Sequence, residues 1–156
     1  MIIKRAKIED IDEILSIQKL SYKSEAELYN EYSIPPLVQT KEEIKEEFKN
    51  HVFLIAIVQN KIIGSVRAHI INSKTCYVGR LIVHPDFQNK GIGTGLMDEI
   101  EEIFKECERF ELFTGHNSKK NIYIYEKRGY KIFKTEKLTD TLNLVYLEKI
   151  NNIGSL

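Results

Sequence analysis

A short glycine-rich run near the middle of the chain has the residue types of an anion-binding turn. It lies between an apolar stretch at 78–83 and an amphipathic stretch at 92–104, and it reads Gln88-Asn89-Lys90-Gly91-Ile92-Gly93-Thr94-Gly95. A turn from a strand into a helix leaves backbone N–H groups free, and the helix dipole adds partial positive charge, which suits phosphate oxygens. Glycine is required where a side chain would hold a ligand away from the backbone. The structural alternative is a turn that only joins two elements.

Three known phosphate-binding turns can be compared with this run. A Walker A loop needs Gly-Lys-Ser/Thr at its end, whereas this run ends in Gly93-Thr94-Gly95. The dinucleotide pattern G-x-G-x-x-G is also excluded, because the third glycine comes one residue too early. The pattern Q/R-x-x-G-x-G/A does fit, from Gln88 to Gly93. That pattern is the pyrophosphate turn of the GNAT family of N-acetyltransferases.

The resemblance to the GNAT family extends over nearly the whole chain. Residues 77–93 look like the family's fourth strand, pyrophosphate loop and third helix. Residues 118–130 resemble a second motif, N-x-x-A-x-x-L-Y-x-x-x-G-F/Y, and place Tyr125 at its tyrosine. Ser118 and Asn121 depart from that motif, where the family often has Asn and Ala. Either Asn121 or its neighbour Asn117 is then expected to take over the polar role toward the cofactor.

The resemblance implies that acetyl-CoA is the acyl donor and that no metal takes part. The turn amides would bind its pyrophosphate, the backbone of Leu81 and Val83 would bind the pantetheine arm, and the Val83 N–H would polarise the thioester carbonyl. One oriented donor of this kind contributes on the order of 3–4 kcal/mol. The expected cofactor-binding residues are Leu81, Ile82, Val83, Gln88, Asn89, Lys90, Gly91, Ile92, Gly93, Thr94 and Asn121.

The resemblance also points to groups that would move protons. Tyr125 is expected to be the general acid, since a phenol can protonate the departing thiolate when the site favours that transfer. An alkyl amine is mostly protonated at neutral pH, so a base is needed as well. In the family the amine lies between the early helices and the splayed ends of strands four and five, which Glu27 and His116 are expected to reach. Glu25 and His84 are the other candidates.

The segment 22–32 is rich in tyrosine and glutamate. Carboxylates and aromatic faces can line a pocket for a cation, which favours a basic acceptor such as a polyamine, an aminoglycoside or a lysine side chain. The alternative is an exposed end of an amphipathic helix.

The hydrophobic pattern predicts the elements that position these residues. A capping box at Thr40 to Glu43 marks one helix start, and the prolines at 35 and 36 predict a break. Strands are predicted at 2–6, 52–58, 62–71, 75–83, 110–114, 130–135 and 142–148, and helices at 9–22, 40–50, 92–104 and 118–127. This order predicts an α/β (α+β) fold with a mixed, mostly antiparallel sheet of about seven strands flanked by helices. The crossover through the helix at 92–104 should be right-handed, with parallel strands.

Apolar spacing divides the helix at 92–104 into two faces. One face carries the residues expected in the core, which are Ile92, Leu96, Ile100, Ile103 and Phe104. The other carries acidic residues expected to point into solvent, which are Asp98, Glu99, Glu101 and Glu102.

The composition limits the function classes. The 156 residues suggest one domain at 1–150 and a short tail at 151–156. Lys and Arg number 23, as do Asp and Glu, so no overall field attracts nucleic acid or an anionic membrane. Cys76 and Cys107 lack metal-like spacing and are expected to be reduced thiols of a cytosolic protein. No secretory signal and no membrane span are expected either.

Three functions remain open at this point. The first is an acetyl-CoA-dependent N-acetyltransferase acting on a primary amine of a small molecule or peptide, by direct attack in a ternary complex, because no cysteine has the setting of a nucleophile. The second is a non-catalytic CoA-binding or regulatory module on the same fold. The third is a nucleotide-binding protein that uses the same turn. Many GNAT proteins form dimers, so the resemblance makes a homodimer an expectation as well.

Overall fold

The computed structural model describes residues 1–151, so all but the first residue of the expected tail lies outside the described part of the chain. Within it the chain forms seven strands and five α-helices. Strands β1 to β7 span Ile2–Arg5, Val52–Val58, Lys61–Asn72, Thr75–Val83, Arg109–Gly115, Lys131–Lys137 and Asn143–Ile150. Helices α1 to α5 span Ile11–Tyr29, Pro35–Val38, Lys41–Phe48, Ile92–Ile103 and Lys119–Lys127. Short 3-10 helices occupy Ile8–Asp10 and Pro85–Phe87.

The strands form a single sheet in the order β1-β2-β3-β4-β5-β7-β6. Neighbouring strands are antiparallel except β4 and β5, which are parallel and joined through α4. The predicted mixed, mostly antiparallel sheet and its parallel crossover are therefore confirmed. None of the helices in residues 1–151 combines the length and the apolar character needed to cross a bilayer.

Helices cover both faces of the sheet, and successive strand residues alternate between the two. Leu54 and Ala56 of β2 belong to an apolar cluster with α4 and α5. Phe53 and Ile55 belong to a second cluster with α1 and α3. Because both faces of β2 are buried, the strand is apolar along its whole length.

The first helix is longer than predicted. It continues through the tyrosine-rich segment to Tyr29 and ends where Asn30 takes a left-handed conformation, with φ of 53°. The expected break at the prolines is replaced by the one-turn helix α2, because proline is tolerated in the first turn of a helix. The capping box at Thr40 and Glu43 is confirmed by both of its hydrogen bonds, at 2.9 and 3.2 Å.

Strand β4 separates from β5 soon after it begins. The two strands pair only over Thr75–Tyr77 of β4. Further along, β4 carries one extra residue relative to β3 between Gly79 and Ile82, which is a β-bulge. Arg80 lies in this bulge with φ of 51°, an uncommon conformation for a residue with a side chain. The bulge bends β4, and the second half of β4 has an edge that no strand covers.

One residue of α4 departs from the predicted pattern. Glu101 was expected in solvent, but only 11% of its side chain is exposed. Its carboxylate accepts hydrogen bonds from Arg128, from the Tyr130 hydroxyl at 2.9 Å and from Lys149 at 2.7 Å. Burial alone would raise the pKa of Glu101, but the bonds from Arg128 and Lys149 hold that pKa below its ordinary value. The expectation was wrong because cations that follow α5 and lie on β7 reach this face.

We expect Glu101→Gln to lower the free energy of unfolding at pH 7 by about 3 kcal/mol, since it leaves the partly buried Lys149 without a carboxylate and Arg128 with Asp98 alone. The folded pKa lies below the unfolded one, so this stabilisation is present at neutral pH. It disappears as the pH falls below about 4 and the carboxylate becomes protonated. Urea unfolding at pH 7 and at pH 3.5 measures both effects.

Glu102→Gln is the matched control, because Glu102 lies next along α4 in an exposed pair with Lys105. It should change stability by less than about 1 kcal/mol. Equal effects of the two substitutions would show that the Glu101 contacts do not stabilise the fold.

Candidate functional site

A cleft of about 850 Å³ runs along the open edge of β4. Its walls come from α1, the turn before α4 and the start of α5. Most of the expected cofactor-binding residues line it, namely Leu81, Ile82, Val83, Gln88, Asn89, Gly91, Ile92, Gly93, Thr94 and Asn121. Lys90 is the exception; its ammonium lies over the ring of Phe87, at 5.6 Å from the centroid. The structure thus brings together residues that the sequence could only place in two separate motifs.

The turn at one end of the cleft presents backbone N–H groups. Asn89 and Gly91 have φ of 63° and 78°, and this pair of left-handed residues leads into α4. Gly91 is the N-cap of α4, and no side chain caps that end of the helix. The first N–H groups of a helix have no partner within it, so they remain available to a ligand here.

Two glycines serve this turn in different ways. A Cβ on Gly91 would meet no atom within 4 Å, so glycine is required there by its positive φ and by the approach of a ligand. A Cβ on Gly93 would lie 3.3 Å from the Cδ1 of Ile124. Gly93 therefore lets α4 pack closely against α5, which narrows the cleft.

The opposite wall adds positive charge. Lys119 and Lys120 begin α5 and both line the cleft. The Lys120 ammonium donates to the side-chain oxygen of Gln88 at 3.0 Å and so links α5 to the turn. Free amides on one side and ammonium groups on the other form a suitable site for a diphosphate.

The backbone of β4 points donors at the middle of the cleft. The His84 N–H donates to the carbonyl of Ile63 on β3 at 2.7 Å. Backbone groups of consecutive strand residues point to opposite edges, so the N–H of Val83 points to the open edge. The Val83 carbonyl accepts a bond from the Ser21 hydroxyl of α1 at 3.3 Å, which agrees with that direction. An extended ligand can therefore pair with this edge like a strand.

Tyr125 does not line the cleft but lies near Tyr22 and Glu25, which do. It is 4% exposed and packs in the apolar cluster on the α4 side of the sheet. Burial raises the pKa of its phenol, and the nearby Tyr22, Glu25 and Tyr77 raise that pKa further. The phenol therefore stays protonated over the physiological range, and it is a donor. Tyr123, two residues earlier, is 64% exposed and lies on the cleft wall.

A hydrogen-bonded chain holds Glu25 at the same end of the cleft. The Ser118 hydroxyl donates to the Glu25 carboxylate. Because that hydroxyl has one proton, the Tyr29 hydroxyl must be the donor in its own contact with Ser118, at 3.1 Å. Tyr29 in turn accepts from the Asn117 N–H at 2.7 Å. Glu25 is thus an oriented carboxylate that lines the cleft and has acceptor sites beyond the one that Ser118 uses.

The other candidate bases lie elsewhere. Glu27 is exposed on α1 and does not line the cleft. His116 is half-buried, packs against the ring of Tyr29 at 5.3 Å, and accepts from the Asn143 N–H at 3.0 Å. His84 accepts from the Asp86 N–H at 3.1 Å. The carboxylate that the structure brings to the cleft is therefore Glu25.

A signal for Glu25 was present in the sequence. Helix α1 turns one face toward the sheet, and that face recurs every three or four residues at Ile11, Ile14, Gln18, Tyr22, Glu25 and Tyr29. Extending the helical period past Tyr22 would have placed Glu25 on this face and Glu27 on the opposite one.

The two cysteines are buried in the apolar core and carry free thiols. Burial raises the pKa of both thiols, so they are neutral at physiological pH and unsuited to nucleophilic attack. In the described part of the chain, no group of three or more His, Cys, Asp or Glu residues is arranged to hold a metal ion.

The comparisons with known proteins agree on one family. Residues 11–130 match the model of the acetyltransferase (GNAT) family. The spermidine N(1)-acetyltransferase of Thermoplasma acidophilum is 27% identical over 147 residues, covering 86% of this chain and 90% of that protein. The UPF0157 protein YqkA of Bacillus subtilis is 29% identical over 133 residues, covering 85% of this chain and 38% of that protein. The aligned regions cover less than half the length of two of the curated relatives that the chain matches.

Solved structures agree on the architecture. The PaiA N-acetyltransferase from Thermoplasma acidophilum, in complex with coenzyme A, superposes with a TM-score of 0.77 at 23% identity. The match covers 96% of this chain and 99% of that one. Likeness at this level of identity shows the fold, which is the fold that the sequence motifs predicted.

Proposed function

The chain belongs to the GNAT family of acetyltransferases, and we propose that it transfers the acetyl group of acetyl-CoA to a primary amine of a small molecule or a peptide. The observation that supports this most directly is the continuity of one cleft. The cleft joins an anion-binding turn at one end to a strand edge in the middle and to Glu25 at the other end. The buried Tyr125 lies behind this lining, near Tyr22 and Glu25. Those are the parts that acyl transfer from a thioester requires.

The donor would bind along the cleft in one direction. Its diphosphate lies on the amides from Gly91 to Thr94, with Lys119 and Lys120 opposite. Its pantetheine arm pairs with the open edge of β4 at Leu81 and Val83. The Val83 N–H then donates to the thioester carbonyl oxygen, where negative charge develops as the amine attacks. No metal is needed for these contacts.

Two protons must move during the transfer. The amine nitrogen forms a bond to the carbonyl carbon, and the carbon–sulfur bond breaks. Glu25 takes the proton of the amine, directly or through a water molecule, because its carboxylate is oriented at this end of the cleft. Tyr125 gives its proton to the departing thiolate, and its burial keeps the phenol protonated until then. The reaction is a direct transfer, since both cysteines are neutral core residues.

The remaining expectations are not needed for this chemistry. A homodimer, a cytosolic location and the lack of nucleic-acid or membrane partners stay predictions. The non-catalytic CoA-binding module is the second candidate, and the turnover measurements below separate it from the enzyme.

Binding of acetyl-CoA tests the cofactor site. We expect calorimetric titration to show micromolar binding of acetyl-CoA and of free CoA, and no binding of ATP at those concentrations. Gly91→Val should weaken acetyl-CoA binding by at least about tenfold, because valine is strained at this φ and its methyl groups fill the space above the turn.

Asn60→Val is the matched control, because Asn60 has a φ of 64° in the turn between β2 and β3, which does not line the cleft. It carries a similar backbone strain and should bind acetyl-CoA normally. Equal loss in both variants would assign the effect to general instability, and tight binding of ATP would favour a nucleotide-binding protein.

Turnover tests the role of Tyr125. We expect Tyr125→Phe to lower kcat by about 10²-fold while the Kd for acetyl-CoA stays unchanged. Tyr123→Phe removes a hydroxyl from the exposed cleft wall and should leave kcat within about twofold of the wild type. A wild-type kcat in Tyr125→Phe would remove this residue from the mechanism. Binding without turnover of any amine would favour the non-catalytic module.

Substitution of two glutamates in α1 tests which of them is the general base. We expect Glu25→Gln to lower kcat by about 10²-fold, with part of the loss recovered at high pH where the free amine is more abundant. Glu27→Gln makes the same chemical change on the exposed face of α1 and should leave kcat unchanged. The reverse result would assign the base to Glu27, which the family resemblance first suggested.

A further inference from the structure

A second, smaller cavity of about 210 Å³ adjoins the end of the cleft. The polar and titratable side chains that line it are those of Tyr22, Glu47, His51, Arg67, His69 and Arg80. Tyr22 lines both cavities, and Arg80 directly precedes the β4 residues that line the cleft. A molecule seated in the small cavity can therefore extend toward Glu25 and the thioester.

Arg67 supplies a buried positive charge to this cavity. Its side chain is 3% exposed and forms a salt bridge with Glu47. It also donates to the side-chain oxygens of Gln18 and Gln39. The Nε of Arg67 is buried and has no hydrogen-bond partner among residues 1–151. One buried donor of this guanidinium is left for a ligand.

Arg80 supplies a second positive charge. It lies in the β4 bulge with φ of 51°, which places its side chain at the cavity wall. Within the described residues it makes no salt bridge, and its Nε is buried without a hydrogen-bond partner. A half-buried guanidinium that has no carboxylate partner lowers the stability of the fold, unless a ligand supplies the missing negative charge. A strained, unpaired arginine at a cavity is typical of a binding residue.

The rest of the lining does not offset these charges. Glu47 is the single carboxylate in the lining, and Arg67 already engages it. His51 and His69 stack with their centroids 4.0 Å apart. Burial lowers the pKa of both imidazoles, so they are neutral at pH 7. The Nδ1 of His69 is another buried polar atom without a partner in residues 1–151.

We propose that this cavity binds an anionic group of the acetyl acceptor, a carboxylate or a phosphate, so that the acceptor is an amine that also carries a negative charge. Guanidinium groups match both anions in shape and charge. The amino group of such an acceptor extends past Tyr22 to Glu25. The assignment rests on the proposed acetyl transfer, because it concerns the acceptor of that reaction.

This acceptor differs from the basic one that the acidic segment 22–32 suggested. Of the three glutamates in that segment, Glu27 is exposed, and Glu31 accepts from the Thr141 hydroxyl at 3.3 Å. Only Glu25 faces the cleft, where it suits the single amine that reacts. A polyamine would place a second cation against Arg67 and Arg80.

Matched acceptors test the proposal with the 156-residue chain. The first set is 5-aminopentanoate, pentylamine and 1,5-diaminopentane, which share a chain length and differ in the charge of the far end. The second set is 3-aminopropyl phosphate and 3-aminopropanol, which distinguishes phosphate from carboxylate. We expect kcat/KM for at least one anionic member to exceed its neutral counterpart by about tenfold or more, and the diamine to be the poorest.

Arg80→Gln should remove that preference. The ratio of kcat/KM between the anionic and neutral acceptors should fall toward one, because kcat/KM falls mainly for the anionic acceptor. Arg5→Gln is the matched control, because it removes an exposed guanidinium from β1, outside the cavity lining. Equal loss for both kinds of acceptor, or a preference of the wild type for the diamine, would overturn the inference.

A binding measurement without turnover separates this inference from the proposed function. Propionate and inorganic phosphate are titrated while the imidazole NMR signals are recorded. At least one of the two anions should shift the signals of His51 and His69, leave those of His84 and His116 in place, and lose its effect in Arg80→Gln. No shift with either anion overturns the inference. A shift without turnover of any amine overturns the proposed function and, with it, the assignment of the anion to an acceptor.

Discussion

The separation of β4 from β5 is the constraint on which the functional half of the molecule depends. The two strands pair for only three residues before the bulge at Arg80 bends β4. Two parallel strands that stayed paired would satisfy each other's backbone groups and leave no space between them. Because they part, Val83 keeps an N–H directed at the opening, and α1 can cover that opening with Tyr22 and Glu25. The bulge therefore creates the cleft, its strand-like edge and the neighbouring cavity together.

An opening in a sheet weakens it, and the surrounding elements compensate. Glu101 ties α4 to Arg128 and Lys149 at the end of the sheet where β4 and β5 are still paired. Tyr29 and Ser118 tie the end of α1 to the start of α5 at the open end. The first set of contacts holds the paired end of the sheet, and the second joins elements that the β4–β5 ladder no longer holds together. The contact between Tyr29 and Ser118 also holds α1 and α5 in place as two walls of the cleft.

Most of the elements that were predicted correctly follow from patterns between residues close together in the sequence. The strands, the crossover helix and the glycine turn follow from apolar alternation and from glycine spacing, and each is present close to its predicted bounds. Features set by long-range contacts were missed. Glu101 has acidic, exposed neighbours in the sequence and is buried because Arg128, Tyr130 and Lys149 reach it from outside α4. The left-handed conformation of Arg80 has no local signal, since arginine gives no hint of a positive φ. Glu25 was among the candidate bases, but the predicted helix ended too early for helical periodicity to favour Glu25 over Glu27.

The charge distribution shows why the composition and the structure favour different acceptors. The chain has equal numbers of acidic and basic residues, and the segment facing the substrate is acidic in sequence. Helical geometry turns most of that acidity away and leaves one carboxylate, Glu25, at the end of the cleft where the proposed reaction removes a proton from the amine. The bulge turns Arg80 the other way, into a cavity whose only carboxylate is already paired with Arg67. A site with a carboxylate at the reacting end and guanidinium groups beyond it matches a molecule with the opposite order of charges. The local fold, and not the net charge, thus decides which amine fits.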